Sequence, residues 1–291
     1  AWGQSPHPIC FLGASRSRSD DCPRPLQSWR QNGNGMNIPY DLENPKKTYE
    51  LSNKYREISG ICPLQGLNSL AFVEDEAVRV HRFDLSSEKI TKYAKHGARD
   101  SEDITILGNT AYILTAGKHP AIYRVADYTG RSPQCHRHDL NLNEEYDPEG
   151  LCHDAKGDRL LIACKGSPTK GDTGRGVFPF DIQLGRRAKS PVLTIDCQGF
   201  LGEGESTFNP SGIAVHPITN DVYLIGTKGT RMIVCCGWDG RVKGAARLDR
   251  DRFEQPEGIA FAESGELIVC SEGAKGKKGK KASIFVFAFV Q

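Results

Sequence analysis

The chain has 291 residues and a mass of 32.0 kDa, with 38 Lys and Arg against 36 Asp and Glu, a net charge of +2. That near-balance argues against a dedicated nucleic-acid binder, which needs a strong basic footprint, and no apolar run is long enough to span a membrane as a helix. The length suits two domains or one large all-β domain, and 31 glycines point to many turns and hence many short strands.

Residues 1–46 are rich in Ser, Arg, Asn, Gly and Pro without periodicity and read as an irregular leader. The chain starts at Ala1 with no signal-peptide pattern, so a mature end after cleavage or a trimmed start is expected. Cys10 and Cys22 flank a polar stretch and can pair in an oxidising compartment. Residues 47–291 read as one β domain. Short apolar runs such as Thr110–Leu114, Arg159–Ala163, Asp221–Ile225 and Glu266–Cys270 are rich in β-branched and aromatic residues and broken by turn signals. Cys152, Cys164 and Cys270 lie inside such runs as small hydrophobes. Vicinal Cys235 and Cys236 should face opposite sides of a strand, one buried and one outward.

A short signature recurs, a polar residue followed by Gly and an aliphatic. It reads Glu57-Ile58-Ser59-Gly60-Ile61, Ser101-Glu102-Asp103-Ile104, Pro148-Glu149-Gly150-Leu151, Pro210-Ser211-Gly212-Ile213 and Pro256-Glu257-Gly258-Ile259. Counting Glu57, Glu102, Glu149, Ser211 and Glu257, the intervals are 45, 47, 62 and 46 residues, each close to one four-stranded propeller blade. The surplus of the third unit falls in its loops, 165–176 and 199–206. The last unit has room for only three strands, and a strand near Tyr49–Leu51 can supply the fourth and close the ring. The expected fold is an all-β propeller of five four-stranded blades, with six open if the long unit holds another.

These repeats resemble the SdiA-regulated family of bacterial extracytoplasmic propellers, which is related to esterase-like phytase propellers. The resemblance runs from about Thr48 to the end. It rests on the ordered signatures together with Asp75-Glu76 and Ser271-Glu272-Gly273. The stretch Tyr40-Asp41-Leu42…Asn44-Pro45 is similar to lead-ins of lipoprotein members. The resemblance implies a secreted, periplasmic or lipid-anchored propeller without a settled reaction. Asp103 departs from the pattern by standing where Gly is usual, which puts the entry of that blade in question.

The signatures open the innermost strands, so Glu57, Glu102, Glu149 and Glu257 are expected at one channel mouth, with Ser211 breaking the ring. Carboxylates ~7 Å apart at an effective dielectric of ~20 repel by roughly 2 kcal/mol per pair. Protons, Lys or Arg partners, or a hard cation such as Ca²⁺ can offset that. The glutamates can equally bond backbone N–H groups of neighbouring blades, or take part in catalysis directly.

Other motifs carry less. Lys95-His96-Gly97-Ala98-Arg99 departs from a histidine acid phosphatase signature at two positions and reads as a loop. Cys135-His136-Arg137-His138 and Cys152-His153 match no zinc spacing. The basic run Lys275–Lys281 reads as a solvated hairpin loop. No nucleophile elbow, P-loop, zincin or dinucleotide motif is present.

Three functions follow as expectations. The first is an extracytoplasmic propeller that binds a ligand or an envelope protein through one face, organised by Ca²⁺ held by the four glutamates. The second is a Ca²⁺-dependent phosphoesterase in which Arg99, Lys118, Lys165 and Lys228 hold phosphate. The third is a structural subunit of a cell-envelope assembly, attached by a lipid anchor or by its leader.

Overall fold

The structure is a computed structural model that describes residues 38–66, 68–97, 100–167, 169, 171–205, 207–274 and 279–290. Cys10, Cys22, Arg99 and the 275–278 part of the basic run lie outside these residues.

Five antiparallel sheets make five blades. A short strand, β1 (Lys47–Glu50), precedes them. The first blade is β2 (Ile58–Pro63), β3 (Ser69–Glu74), β4 (Ala77–Asp84) and β5 (Ile90–Lys95). The second is β6 (Ser101–Leu107), β7 (Thr110–Thr115), β8 (Ala121–Ala126) and β9 (Gln134–Asp139). The third runs β10 (Pro148–Asp154), β11 (Arg159–Cys164) and β12 (Gly174–Asp181), and its outer edge is split between β13 (Arg186–Arg187) and β14 (Leu193–Asp196), which both pair with β12. The long repeat unit therefore spends its surplus on loops and on this divided strand, and the blade count is five. The fourth blade is β15 (Phe208–Val215), β16 (Val222–Gly229), β17 (Met232–Cys236) and β18 (Val242–Arg247). The fifth is β19 (Gln255–Phe261), β20 (Leu267–Glu272) and β21 (Ser283–Phe287), completed by β1 in register Lys47↔Val286 to Glu50↔Ser283. The two ends of the domain are thus paired in one sheet, and the ring has no open edge.

Burial explains the sequence pattern. Inner and middle strands are covered on both faces, so β11 and β17 read as nearly continuous apolar runs instead of alternating ones. Cys235 and Cys236 are accordingly both buried, one against the fifth blade and one against the third, which corrects the expected outward thiol. Outer strands such as β9 are largely exposed. The core is five hydrophobic clusters, one at each blade–blade interface, and the signature aliphatics Ile61, Ile104, Leu151, Ile213 and Ile259 each enter a different one.

Residues ahead of β1 also pack on the propeller. Ile38 and Tyr40 are buried against the fourth and fifth blades. The Tyr40 hydroxyl donates to the Gly265 carbonyl at 2.7 Å and lies 2.9 Å from His216 Nε2. Backbone N–H groups of Ile218 and Thr219 donate to His216 Nδ1. That makes Nδ1 the bare nitrogen, leaving Nε2–H to donate to Tyr40.

Candidate functional site at the axial carboxylates

Every inner strand carries a one-residue bulge at its signature. Pro148 and Gly150 face Cys164 and Ala163, so Glu149 is the extra residue. Glu102, Ser211 and Glu257 are extra in the same way. In β2 the irregularity lies between Ile58 and Ile61, and the matching position is Ser59. A bulge takes a side chain out of the strand alternation and re-aims it. Here it directs Ser59, Glu102, Glu149, Ser211 and Glu257 towards the axis at one end of the channel. In the first blade Glu57 precedes the strand and pairs with Arg56 at 3.2 Å, and Ser59 holds the bulge position. The five bulge positions therefore carry three carboxylates and two hydroxyls.

The following residue is glycine because the inner strands touch. A methyl on Gly60 would strike the Asp103 Cα, and one on Gly212 would come within 2.6 Å of the Glu257 carbonyl oxygen. Asp103 can replace glycine in the second blade because its carboxylate has a task there. It accepts from the backbone N–H of Leu151 at 2.7 Å and of Ile104 at 2.8 Å, and also from Ile61. These are channel-facing edge donors of three adjacent blades, which would otherwise be buried without partners. Asp103 is thus the residue that bonds to neighbouring blades, the role first considered for the glutamates. Burial drives its carboxyl upward, against the pull of the three donors. Ser211 does related work by donating to the Pro256 carbonyl at 2.9 Å.

The glutamates are neutralised differently. Lys165, just after β11, donates from Nζ to Glu149 Oε1 at 2.6 Å. The Glu102 carboxyl hydrogen-bonds to Glu149 and is held well above the usual carboxylate range by burial, then by the charge of Glu149. Glu257 is pushed up to about 8 by burial first and by Glu149 and Glu272 next, while Gln255 Nε2 donates to its Oε1 at 2.7 Å. Burial disfavours the Lys165 charge, but Glu149, with Glu257 and Asp147, outweighs it and raises the ammonium above its ordinary value. Burial raises the Glu149 carboxyl as well, against the pull of Lys165, so the mouth holds a Glu149–Lys165 pair flanked by two acids that burial biases towards the protonated form. Among the described residues no three His, Cys, Asp or Glu side chains stand together as a metal-ligand set, and the Lys165 ammonium supplies the counter-charge of Glu149.

Of the four cations expected to hold phosphate, Lys165 is the one that touches the carboxylates among the described residues. Lys118 is exposed in the loop after β7, Lys228 is exposed near the end of β16, and Arg99 lies outside the described residues. His136 and His138 sit on the outer strand β9, away from the axis. Sequence reasoning passed over Ser59 and the bonding role of Asp103. The fixed interval from Gly-aliphatic back to the polar residue was the signal for the first. The single carboxylate beside four signature glycines was the signal for the second.

With this geometry in hand, the chain can be compared with known proteins. The model of the SdiA-regulated family matches residues 40–275. The chain belongs to that family. No curated protein matches the sequence. Similar solved structures include glutaminyl cyclase from Myxococcus xanthus, at 13% identity and a TM-score of 0.54, covering 84% of this chain and 95% of that one. A protein of unknown function from Bacteroides thetaiotaomicron aligns at 14% identity and a TM-score of 0.51, over 87% of this chain and 63% of that one. A chain of the nidogen/laminin complex aligns at 14% identity and a TM-score of 0.51, over 76% and 78%. At such identities the likeness concerns the propeller alone. Among the described residues no helix is long and apolar enough to cross a membrane.

Proposed function

We propose that this member of the SdiA-regulated family is a binding propeller that takes a positively charged group at the axial mouth, in exchange for the protons stored on Glu102 and Glu257. The observation that carries the reading is the convergence of three carboxylates from bulge positions on Lys165, the one lysine paired with them among the described residues, in a buried setting. Removing water makes each unneutralised carboxylate costly, so the free protein fills the site with protons and an ammonium. A ligand cation that brings its own charge can replace the protons and let Lys165 turn outward. Either a hard ion, with Ca²⁺ the natural candidate, or the ammonium of an organic ligand meets that requirement; Glu102, Glu149 and Glu257 do not stand as a metal-ligand set in this structure, so a hard ion would have to draw them together on binding. The phosphoesterase alternative is less well supported, because among the described residues only Lys165 of the cations it needs touches the carboxylates. We place the protein outside the cytoplasm. The free thiols among the described residues are compatible with such a setting, since Cys62, Cys164, Cys235 and Cys236 are each pushed up by burial and hold little reactive thiolate.

Calorimetric titration of the intact chain with CaCl₂ and, in a separate arm, with a primary alkylamine tests the reading at pH 6, 7 and 8. Affinity should rise with pH in the arm that is right, with proton release seen as heats that depend on the buffer. Glu149→Gln and Glu257→Gln should each weaken it at least tenfold. No heat and no change in melting temperature in either arm across this range overturns the proposal.

A further inference from the structure

The inner strands run on past the contact level of Gly60, Asp103 and Gly212, and the channel opens again at the opposite end from the glutamates. There it forms a cavity of about 730 Å³, built from all five inner strands and the loops that follow them. This volume lies within the roughly 300–1,000 Å³ of small-molecule pockets. Two residues beyond each signature aliphatic, Pro63, Ile106, His153, Val215 and Phe261 line this space, with Cys62, Thr105, Cys152, Ala214 and Ala260 beside them. The first five, one per blade, are half-buried. Four of these are apolar, and the fifth is a lone imidazole. His153 Nε2 is buried and has no hydrogen-bond partner among the described residues. Burial also holds this ring below the ordinary histidine range, which keeps it neutral at physiological pH.

We propose that this funnel is a second binding site, separate from the carboxylate mouth, for an uncharged, largely apolar small molecule that carries one hydrogen-bonding group to meet His153. An apolar concave wall gains from excluding water. Nε2 itself is closed off from the cavity, so a ligand meets the half-buried imidazole at its accessible edge, and as the one of the five ring positions able to hydrogen-bond, His153 fixes the ligand's orientation. The strand contacts above make the funnel blind. A ligand enters and leaves by the lower face only, and occupancy does not compete with a cation at the upper mouth. An anionic ligand is disfavoured because the Glu263 and Glu266 carboxylates also line the cavity.

N-phenyl-1-naphthylamine, a neutral apolar fluorophore with one N–H, is a suitable probe. Titrated into the intact chain, it should show saturable fluorescence at one probe per chain, and the imidazole proton signals of His153 should shift in the NMR spectrum of the unaltered protein. Ile106→Trp and Val215→Trp fill the funnel from its rim and should each lower affinity at least tenfold, whereas Glu257→Gln at the far mouth should leave it unchanged. Three results would overturn the proposal: no saturable binding, unaltered binding in both folded tryptophan variants, or binding that leaves the His153 signals in place. None of them bears on the cation reading, which concerns the other end of the channel.

Discussion

Replacing Glu257 by glutamine should make the protein more stable at alkaline pH and leave it nearly unchanged in acid. In the folded chain this carboxyl is held at about 8, and in the unfolded chain it returns to 4.5. Between those pH values the folded state binds one proton more than the unfolded state. Stability from this group is therefore fully present below 4.5 and is lost as the pH rises through 8. Each pH unit in that window costs about 1.4 kcal/mol, which sums to about 5 kcal/mol at pH 8 and about 3 kcal/mol at pH 7. Glutamine keeps the shape of the neutral acid, and its amide oxygen can still accept from Gln255 Nε2. The variant should then escape this loss. Urea unfolding of both proteins from pH 5 to 8.5 gives the test. The wild-type stability should fall more steeply with pH than that of the variant, the difference in slope being about 1.4 kcal/mol per pH unit. Parallel curves would refute the buried, proton-loaded mouth, and with it the exchange of protons for a cation.

Three further perturbations test the rest of the architecture. Asp103→Ala leaves the N–H groups of Ile61, Ile104 and Leu151 buried without partners and should cost about 3–5 kcal/mol in urea unfolding; a loss under 1 kcal/mol would show that water or strand movement satisfies them. Lys165→Met strips Glu149 of its ammonium and should destabilise by about 3 kcal/mol, with most of it recovered in the Lys165→Met, Glu149→Gln double variant, because a broken buried pair costs more than an absent one. Tyr40→Phe removes the hydroxyl between His216 and the Gly265 carbonyl and should cost about 1–2 kcal/mol, together with faster amide exchange at Gly265 and Val290, whose N–H donates to the Pro39 carbonyl.

The propeller was legible because each blade repeats the same physical problem. Five radial sheets must bring five inner strands into contact, and only glycine allows backbones to approach that closely, so Gly60, Gly150, Gly212 and Gly258 recur at blade spacing. Closure by β1 was legible from a last unit one strand short. The membership of the mouth was less so. A count from the acidic residue selects Glu57, but the bulge, set by register with the second strand, selects Ser59. Register is a property of paired strands and cannot be read from one strand alone. The neutralisation of the glutamates was hidden for a similar reason. Lys165 follows Glu149 by sixteen residues and meets it only because β10 and β11 pair antiparallel, which returns the end of β11 to the start of β10.

The same bulges explain why the two ends of one channel differ in chemistry. Above the glycine level, the extra residue is freed from the strand alternation and can point at the axis, where polar side chains have room for partners and solvent. Below it the alternation resumes, and each inner strand is again confined between two blades, so its positions must satisfy an apolar interface on either side. Four of the five lower ring positions obey that demand. His153 does not, and neither its own strand nor the adjacent blades supply its Nε2 with a partner. A residue retained against the packing rule of its four equivalents, at the wall of a cavity wide enough for a small molecule, is the position at which this propeller departs from its own repeat. The departure at Asp103 is explained by three backbone donors within the chain; no such partner among the described residues explains the one at His153.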